Sequence, residues 1–114
     1  MANLMHLSRK AFEQVIAKAK TVEIRVNDQK RRLLRVGDII TFVNCSNQAD
    51  TISVVVTKLA VMDLFVDLFR EVLPSLAGWP AGTSPRDAAI AMQYYYTLEE
   101  EREFGVVAIF FERV

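Results

Sequence analysis

One stretch of sequence decides the fold: Lys18-Ala19-Lys20-Thr21-Val22-Glu23-Ile24-Arg25. From residue 21 it alternates strictly between polar and apolar side chains, and this period of two predicts a β-strand over 21–26 with one buried face. Glu23 and Arg25 share the polar face, about 7 Å apart, with Lys20 at the start of the strand. A carboxylate and two cations therefore converge where a helix ends and a strand begins.

Two interpretations of this charged cluster remain open from the residue pattern. Convergent opposite charges tune one another's pKa and offer both donors and acceptors to a polar ligand. The same residues also suit a surface ion-pair network on the solvent face of an amphipathic strand. The pattern alone favours the second interpretation, because exposed strand faces normally carry such charges.

The flanking segments predict one helix before this strand and two strands after it. Ser8 caps a helix over 9–18, whose Phe12, Val15, Ile16 and Ala19 are expected to face the core. The residues before Ser8 are expected to be frayed. A basic connector over 30–35 leads to a Gly37-Asp38 turn. Two β-branched runs, 39–43 and 52–59, should pair antiparallel across a polar hairpin loop over 44–50.

The second half of the chain predicts three helices and a last strand. Asp63 is the expected cap of a helix with an apolar stripe, which Pro74 ends. The residues of that stripe are Leu64, Phe65, Leu68, Phe69, Val72 and Leu73. A loop over 74–83 follows, and then a helix over 85–92 with Ser84 as cap. Thr97 opens a further short helix that Gly105 ends, and residues 106–111 form a buried strand.

This element order predicts an α+β fold: a small, curved, mostly antiparallel sheet or β-barrel with flanking helices. The chain has 114 residues, 14 basic and 14 acidic, which fits a single domain over 1–114. Residues 1–36 carry a net charge of +6 and the remainder −6, so one face is able to attract an anionic partner.

Composition also limits the compartment and the chemistry. The single cysteine, Cys45, the lack of a basic-then-apolar start and the lack of a long apolar run predict a cytoplasmic protein without a membrane segment. His6 and Cys45 have no second ligand at usable spacing, so no metal site is expected. No glycine-rich phosphate loop or GxSxG motif is present, and no cofactor is predicted.

Aromatic residues form the other unusual feature. Tyr94-Tyr95-Tyr96 lies between two predicted helices, and a tyrosine ring offers a flat face on which a base can stack. Two of the three rings are expected to pack in the core. Trp79 has two possible roles, stacking on a base or pinning its loop to the body.

Three blocks of the sequence resemble the ASCH domain family, small relatives of the PUA RNA-binding fold. Lys18 to Arg25 is similar to the GxKxxExR signature of that family, with Lys18 at the position of its leading glycine. Residues 36–42 resemble its entry into the second strand, and residues 93–101 and 104–109 resemble its final segment.

The resemblance implies a PUA-like β-barrel with a cleft beside the KxxExR segment that binds RNA or a nucleotide. A glycine at the position of Lys18 would permit a left-handed helix end, whereas lysine is expected to narrow the mouth of the cleft and add charge. The binding residues implied or predicted are Lys20, Thr21, Glu23, Arg25, Lys30, Arg31, Arg32, Tyr95 and Tyr96. Among them, the basic connector would supply phosphate contacts that do not depend on base sequence.

Other functions remain open. Some bacterial members of the family hydrolyse N4-acetylcytidine, using a threonine at the position that is Glu23 here. An amidohydrolase acting on such modified nucleosides would need Glu23 as general base and Lys20 to stabilise negative charge. The family also suggests a ribonuclease, and a protein-binding module is a third possibility. The oligomeric state is not predicted.

Overall fold

The computed structural model describes residues 3–114, which form five strands and five α-helices. The strands are β1 (Asn3–Leu7), β2 (Val22–Val26), β3 (Ile39–Asn44), β4 (Asn47–Met62) and β5 (Val106–Arg113). The helices are α1 (Arg9–Ile16), α2 (Gln29–Arg32), α3 (Phe65–Glu71), α4 (Pro85–Met92) and α5 (Leu98–Phe104). Pro74–Ala77 adds one turn of 3-10 helix. No helix within this range is long and apolar enough to cross a bilayer.

The strands form one mixed sheet that curls into a half-barrel, in the order β1-β3-β4-β5-β2. Only β1 and β3 pair in parallel, and the other neighbours pair antiparallel. The predicted α+β class with a mostly antiparallel curved sheet is therefore confirmed. Strands β1 and β2 are the two edges of the sheet, although only one helix separates them in the sequence.

Strand β5 divides the core into two apolar clusters. Val107, Ile109 and Phe111 pack into one cluster with side chains of α1, β1, β3 and β4, while Val106 and Ala108 pack into the other with β2, α3 and α4. Both faces of β5 are thus covered, which explains its continuous apolar run. Its neighbour β2 also has two covered faces, and this decides the environment of its polar residues.

The predicted helix termini in the second half of the chain are largely confirmed. The side chain of Ser84 accepts a hydrogen bond from the Asp87 amide at the start of α4. Thr97 and Glu100 form a reciprocal capping box on α5, and Gly105 ends that helix. These local signals are reliable because each one satisfies backbone groups that a helix end leaves unpaired.

The expectation of a frayed start is wrong for the described residues before Ser8. Residues 3–7 form β1, in which Met5 and Leu7 are buried. His6 is consequently fixed in an edge strand. The pairing partner β3 lies more than thirty residues away, so no local pattern indicated it.

The predicted apolar stripes of α1 and α3 include residues that lie beyond the helices and are exposed. Helix α1 ends at Ile16 rather than residue 18, and both Ile16 and Ala19 are exposed. Asp63 does not cap α3: Leu64 occupies the cap position, and the amide of Phe65, the first helical residue, donates to the carboxylate of Glu101 at 2.7 Å. Because α3 ends at Glu71, Leu73 leaves the helical face and is exposed.

Three segments predicted as loops contain regular structure. The polar hairpin loop shrinks to residues 45–46, because β4 begins at Asn47 and continues to Met62. The basic connector includes α2, whose first turn is capped by Asp28. The Pro/Gly loop begins with the 3-10 turn at residues 74–77. The start of β4 and helix α2 consist largely of polar residues, so no apolar periodicity indicated them.

Candidate functional site

A cleft of about 380 Å³ opens where the edge strands β1 and β2 approach each other. Its walls come from the end of β1 and the start of α1, from β2, from the chain after the 3-10 turn, and from the end of α4. The side chains used below are those of His6, Lys10, Gln14, Lys20, Glu23, Arg25, Trp79, Tyr95 and Tyr96, all of which line it. A volume of this size suits a small ligand.

Lys20, Glu23 and Arg25 form a continuous ion-pair triad at this cleft. Lys20 Nζ lies 3.0 Å from Glu23 Oε1, and Arg25 Nη2 lies 2.7 Å from Glu23 Oε2. Arg25 Nε also donates a hydrogen bond to Glu23 Oε2 at 2.8 Å. One carboxylate therefore holds two cations, and the triad has a net charge of +1.

The triad is buried, so the interpretation as a surface ion-pair network on the solvent face of the strand is wrong. Lys20 and Glu23 are each only 6% exposed. Glu23 pairs in register with Ile109 and Arg25 with Val107, and cross-strand partners share a face of the sheet. That face of β5 belongs to the core inside the half-barrel, which is why the polar face of β2 does not reach solvent.

Burial and charge act in opposite directions on the triad. Burial alone would raise the pKa of Glu23, but the adjacent Lys20 and Arg25 outweigh it and hold that pKa below its ordinary value. Burial alone would lower the pKa of Arg25, and the Glu23 carboxylate reverses this, so that pKa is raised. Both residues are therefore charged at neutral pH.

Backbone carbonyls fix the two cations in place. Lys20 Nζ donates to the carbonyl of Ala77 at 2.7 Å, and Arg25 Nη2 donates to the carbonyl of His6 at 3.1 Å. The first contact ties the 3-10 turn to the triad, and the second bridges the two edge strands. These contacts give the triad a defined geometry.

The aromatic residues differ in what they expose to the cleft. Tyr95 is 71% exposed, whereas Tyr96 stacks on Phe65 at a centroid distance of 6.0 Å. Tyr94 is 87% exposed and lies outside the cleft lining. The expectation that two of these rings pack in the core is therefore wrong, because the chain after α4 continues as an exposed turn and buries only Tyr96 in part. Trp79 is half-buried and both lines the cleft and packs against the second core cluster.

Four residues predicted for binding lie outside the cleft lining. The backbone amide of Thr21 donates to the carbonyl of Leu76, and its carbonyl accepts from the amide of Phe111. Lys30, Arg31 and Arg32 belong to α2. The guanidinium of Arg32 donates to the carbonyls of Asn27 and Phe104. The cleft lining brings together Lys20, Glu23, Arg25, Tyr95 and Tyr96, and these four lie outside it; of the four, Arg31 lies near enough to Tyr96 for its positive charge to act on that hydroxyl.

Lys18, which aligns with the leading glycine of the motif that the sequence resembles, adopts a backbone conformation typical of glycine. Its φ of +62° lies in the left-handed region. Its side chain is exposed and does not line the cleft. The lysine therefore strains the turn after α1, and the expectation that it narrows the mouth of the cleft is wrong.

Sequence reasoning missed several residues of the cleft. His6 and Lys10 were not predicted, and neither was Gln14, whose amide donates to the carbonyl of Gly78 at 3.1 Å. The carbonyls of Ala77 and His6 carry no side-chain signal that could have indicated them. Among residues 3–114, no group of three or more His, Cys, Asp or Glu side chains is placed to hold a metal ion.

Comparisons with a family model and with solved structures show which family this chain belongs to. The model of the ASCH domain family matches residues 5–114. The crystal structure of the hypothetical protein PH0355 is similar over the whole of both chains, with 28% identity and a TM-score of 0.87. A solution NMR structure of a protein from Pyrococcus furiosus has 26% identity and a TM-score of 0.77, and the match covers 100% of this chain and 98% of that one.

A more distant structure supports the fold alone. The ASCH protein from Zymomonas mobilis has 12% identity and a TM-score of 0.67, and the match covers 97% of this chain and 66% of that one. No curated protein shows significant sequence similarity to this chain.

Proposed function

The chain belongs to the ASCH domain family, and from this premise we propose that it is an RNA- or nucleotide-binding module whose cleft holds the ligand at Lys20, Glu23 and Arg25. One observation carries the proposal. Two cations are fixed by a single buried carboxylate at the floor of a cleft that also presents an exposed tyrosine ring. Such a combination of donors with an aromatic face suits a nucleotide.

Each group has a role in this proposal. Tyr95 stacks on a base, because its ring is exposed at the cleft and free of the core contact that holds Tyr96. Lys20 and Arg25 donate hydrogen bonds to the ligand. Lys10 lines the same cleft and adds a third positive charge, so the lining has a net charge of +2 while the whole chain is neutral. The cleft therefore attracts an anionic ligand locally.

The basic residues of α2 extend this proposal beyond the cleft. Lys30, Arg31 and Arg32 would contact phosphates of a longer RNA, with no dependence on its sequence. Lys30 is exposed, whereas Arg32 is partly engaged with two backbone carbonyls. We expect Lys30 to contribute most of this contact.

Binding is better supported than amide hydrolysis. A general base works best when its pKa lies near the working pH. The pKa of Glu23 is held below its ordinary value, and both of its oxygens are already bonded to cations. These contacts make Glu23 a weak base and a good positioning group for Lys20 and Arg25.

The test uses Trp79, the only tryptophan of the chain, as a fluorescent reporter in the cleft. A short single-stranded RNA of mixed sequence is titrated into the protein and into two variants. Tyr95→Ala should weaken binding about fivefold or more, because stacking on one aromatic ring contributes about 1–3 kcal/mol. Tyr94→Ala is the matched control, since this neighbouring ring is also exposed but lies outside the cleft lining.

Equal loss of affinity in the two tyrosine variants would contradict a specific role for the cleft. Absence of any fluorescence or amide-shift response to RNA and to nucleotides would contradict the proposed function itself. In that case the protein-binding alternative would be the next to test.

A further inference from the structure

The triad presents its hydrogen-bonding groups in a fixed order. Glu23 lies between Lys20 and Arg25, because its Oε1 pairs with the first and its Oε2 with the second. Lys and Arg side chains only donate, and an ionised carboxylate only accepts. The order along the triad is therefore donor, acceptor, donor.

Each member keeps unused capacity for a ligand. Lys20 Nζ has three N–H groups, of which two are used by Ala77 and Glu23. Each Glu23 oxygen has two lone pairs; Oε2 accepts a hydrogen bond from Arg25 Nε and is in ion-pair contact with Nη2, while Oε1 is in ion-pair contact with Lys20 and keeps a lone pair for a ligand.

Arg25 likewise has donors to spare. Its Nε and Nη2 serve Glu23 and the carbonyl of His6. Its other terminal nitrogen, Nη1, takes no part in these contacts and carries two further N–H groups, so one is left for a ligand even if the Tyr96 hydroxyl, which interacts with this guanidinium, takes the other. All three side chains line the cleft. A ligand can therefore meet one donor, one acceptor and one further donor in sequence.

Resting on the proposed function, we propose that the triad recognises the imide edge of a uracil-type base. This edge consists of a carbonyl, an N–H and a second carbonyl, so it matches the triad group for group. Lys20 and Arg25 donate to the two carbonyl oxygens, and Glu23 Oε1 accepts from the N–H between them. Single-stranded RNA exposes this edge of its bases to proteins.

The other bases match less well. Cytosine has a ring nitrogen lone pair where uracil has its N–H, which places an acceptor against Glu23, and an amino group where uracil has a carbonyl, which places a donor against a cation. Guanine matches at one carbonyl and one N–H, but its amino group meets the second cation. Unpaired polar groups in a buried site are costly, so these mismatches disfavour binding.

The experiment compares ligands on the unaltered protein, so misfolding of a variant cannot imitate the result. Uridine, cytidine and 3-methyluridine are titrated separately, with Trp79 fluorescence and amide chemical shifts as the measurements. We expect uridine to bind at least about tenfold more tightly than cytidine, because two hydrogen bonds to charged groups are lost. We also expect 3-methyluridine to bind at least about tenfold more weakly than uridine, since its methyl group replaces the N–H that faces Glu23.

Three outcomes would overturn the inference and leave the proposed function standing. Cytidine binding as tightly as uridine would show that the triad does not read this edge. Equal binding of uridine and 3-methyluridine would remove Glu23 as the acceptor. If both nucleosides bound only as monophosphates, with equal affinity and with inorganic phosphate as a competitor, the triad would be a phosphate site. If neither nucleosides nor single-stranded RNA bound, the proposed function would fail as a whole.

Discussion

Glu23 shows how a single residue links stability to the cleft. Its carboxylate is nearly sealed from solvent and is bonded to both cations of the triad. The desolvation of three charged groups is offset only while all three remain paired. Removal of one partner leaves a buried charge without compensation.

We predict a pH dependence of stability that originates at Glu23. Because its pKa in the folded state lies below the ordinary value of 4.5, the ionised carboxylate stabilises the fold above about pH 4.5. This contribution is lost as the pH falls through the lower folded-state pKa. Glu23→Gln should therefore lose less stability than the wild type on acidification, as measured by urea unfolding between neutral and acidic pH.

The same variant should be less stable at neutral pH by about 3–5 kcal/mol, since it breaks a buried ion-pair network. Glu13→Gln is a suitable control, because Glu13 forms an exposed ion pair with Arg9 and should change stability by less than about 1 kcal/mol. If Glu23→Gln followed the acid profile of the wild type, the acid sensitivity would have to arise from another carboxylate.

Lys18 supports a second prediction at the scale of one residue. A left-handed conformation costs a residue with a Cβ atom about 1–2 kcal/mol, and glycine avoids this cost. We expect Lys18→Gly to raise the free energy of unfolding, whereas Lys18→Ala, which keeps a Cβ atom, should not. Thermal and urea unfolding of the two variants would measure the difference. Equal stability of the two would indicate that the backbone at residue 18 relaxes.

At the scale of elements, the junction between α5 and β5 depends on one glycine. Gly105 has a φ of +71°, and a Cβ atom added there would lie 2.9 Å from the carbonyl oxygen of Met62 at the end of β4. Any other residue would therefore be strained by its backbone and would also press on a neighbouring strand.

We predict that Gly105→Ala lowers the free energy of unfolding by about 2–3 kcal/mol. Gly82→Ala provides the control, because Gly82 also has a positive φ, of +87°, but has open space around the added Cβ atom. The difference between the two variants isolates the clash with β4. Equal losses of unfolding free energy in the two variants would mean that β4 shifts to accommodate the added Cβ atom with no energetic cost.

The elements that sequence predicted well are those with local signals. Ser84 and Thr97 predict the starts of α4 and α5, because their side chains accept hydrogen bonds from backbone amides within the same turn. Strand β1 was missed, since its structure depends on pairing with β3 and its own five residues carry little periodicity.

Local sequence signals were also insufficient to predict the environment of the candidate site. The resemblance to the family indicated Lys20, Glu23 and Arg25, but their burial did not follow from the alternation of the strand. That burial depends on which face of β5 belongs to the core, a fact of the whole sheet. The residues that line the cleft together with the triad come from four segments, which only the complete fold brings together.

At the scale of the whole molecule, the charge distribution predicts how binding responds to salt. The chain is neutral, so long-range attraction is weak, and three cations line the cleft. If these three cations alone contact phosphates, a plot of the logarithm of the association constant for single-stranded RNA against the logarithm of the salt concentration should have a negative slope. The magnitude of that slope should be at most about 2.

Participation of α2 would make this slope steeper. Lys30→Ala should reduce its magnitude by about 0.7, the value for one phosphate contact on a single strand. Arg86→Ala, which alters an exposed residue of α4, is the control and should leave the slope unchanged. An unchanged slope in Lys30→Ala would restrict RNA contact to the cleft.

The order of the strands has a further consequence for a chain that is still being synthesised. Strand β2 has only β5 as a neighbour in the sheet, so residues 22–26 have no strand to pair with until residues 106–113 have left the ribosome. The carbonyl that holds Lys20 also arrives fifty-seven residues after it. A nascent chain thus carries the charged residues of the cleft early but cannot assemble them, and the cleft forms only when β5 completes the sheet.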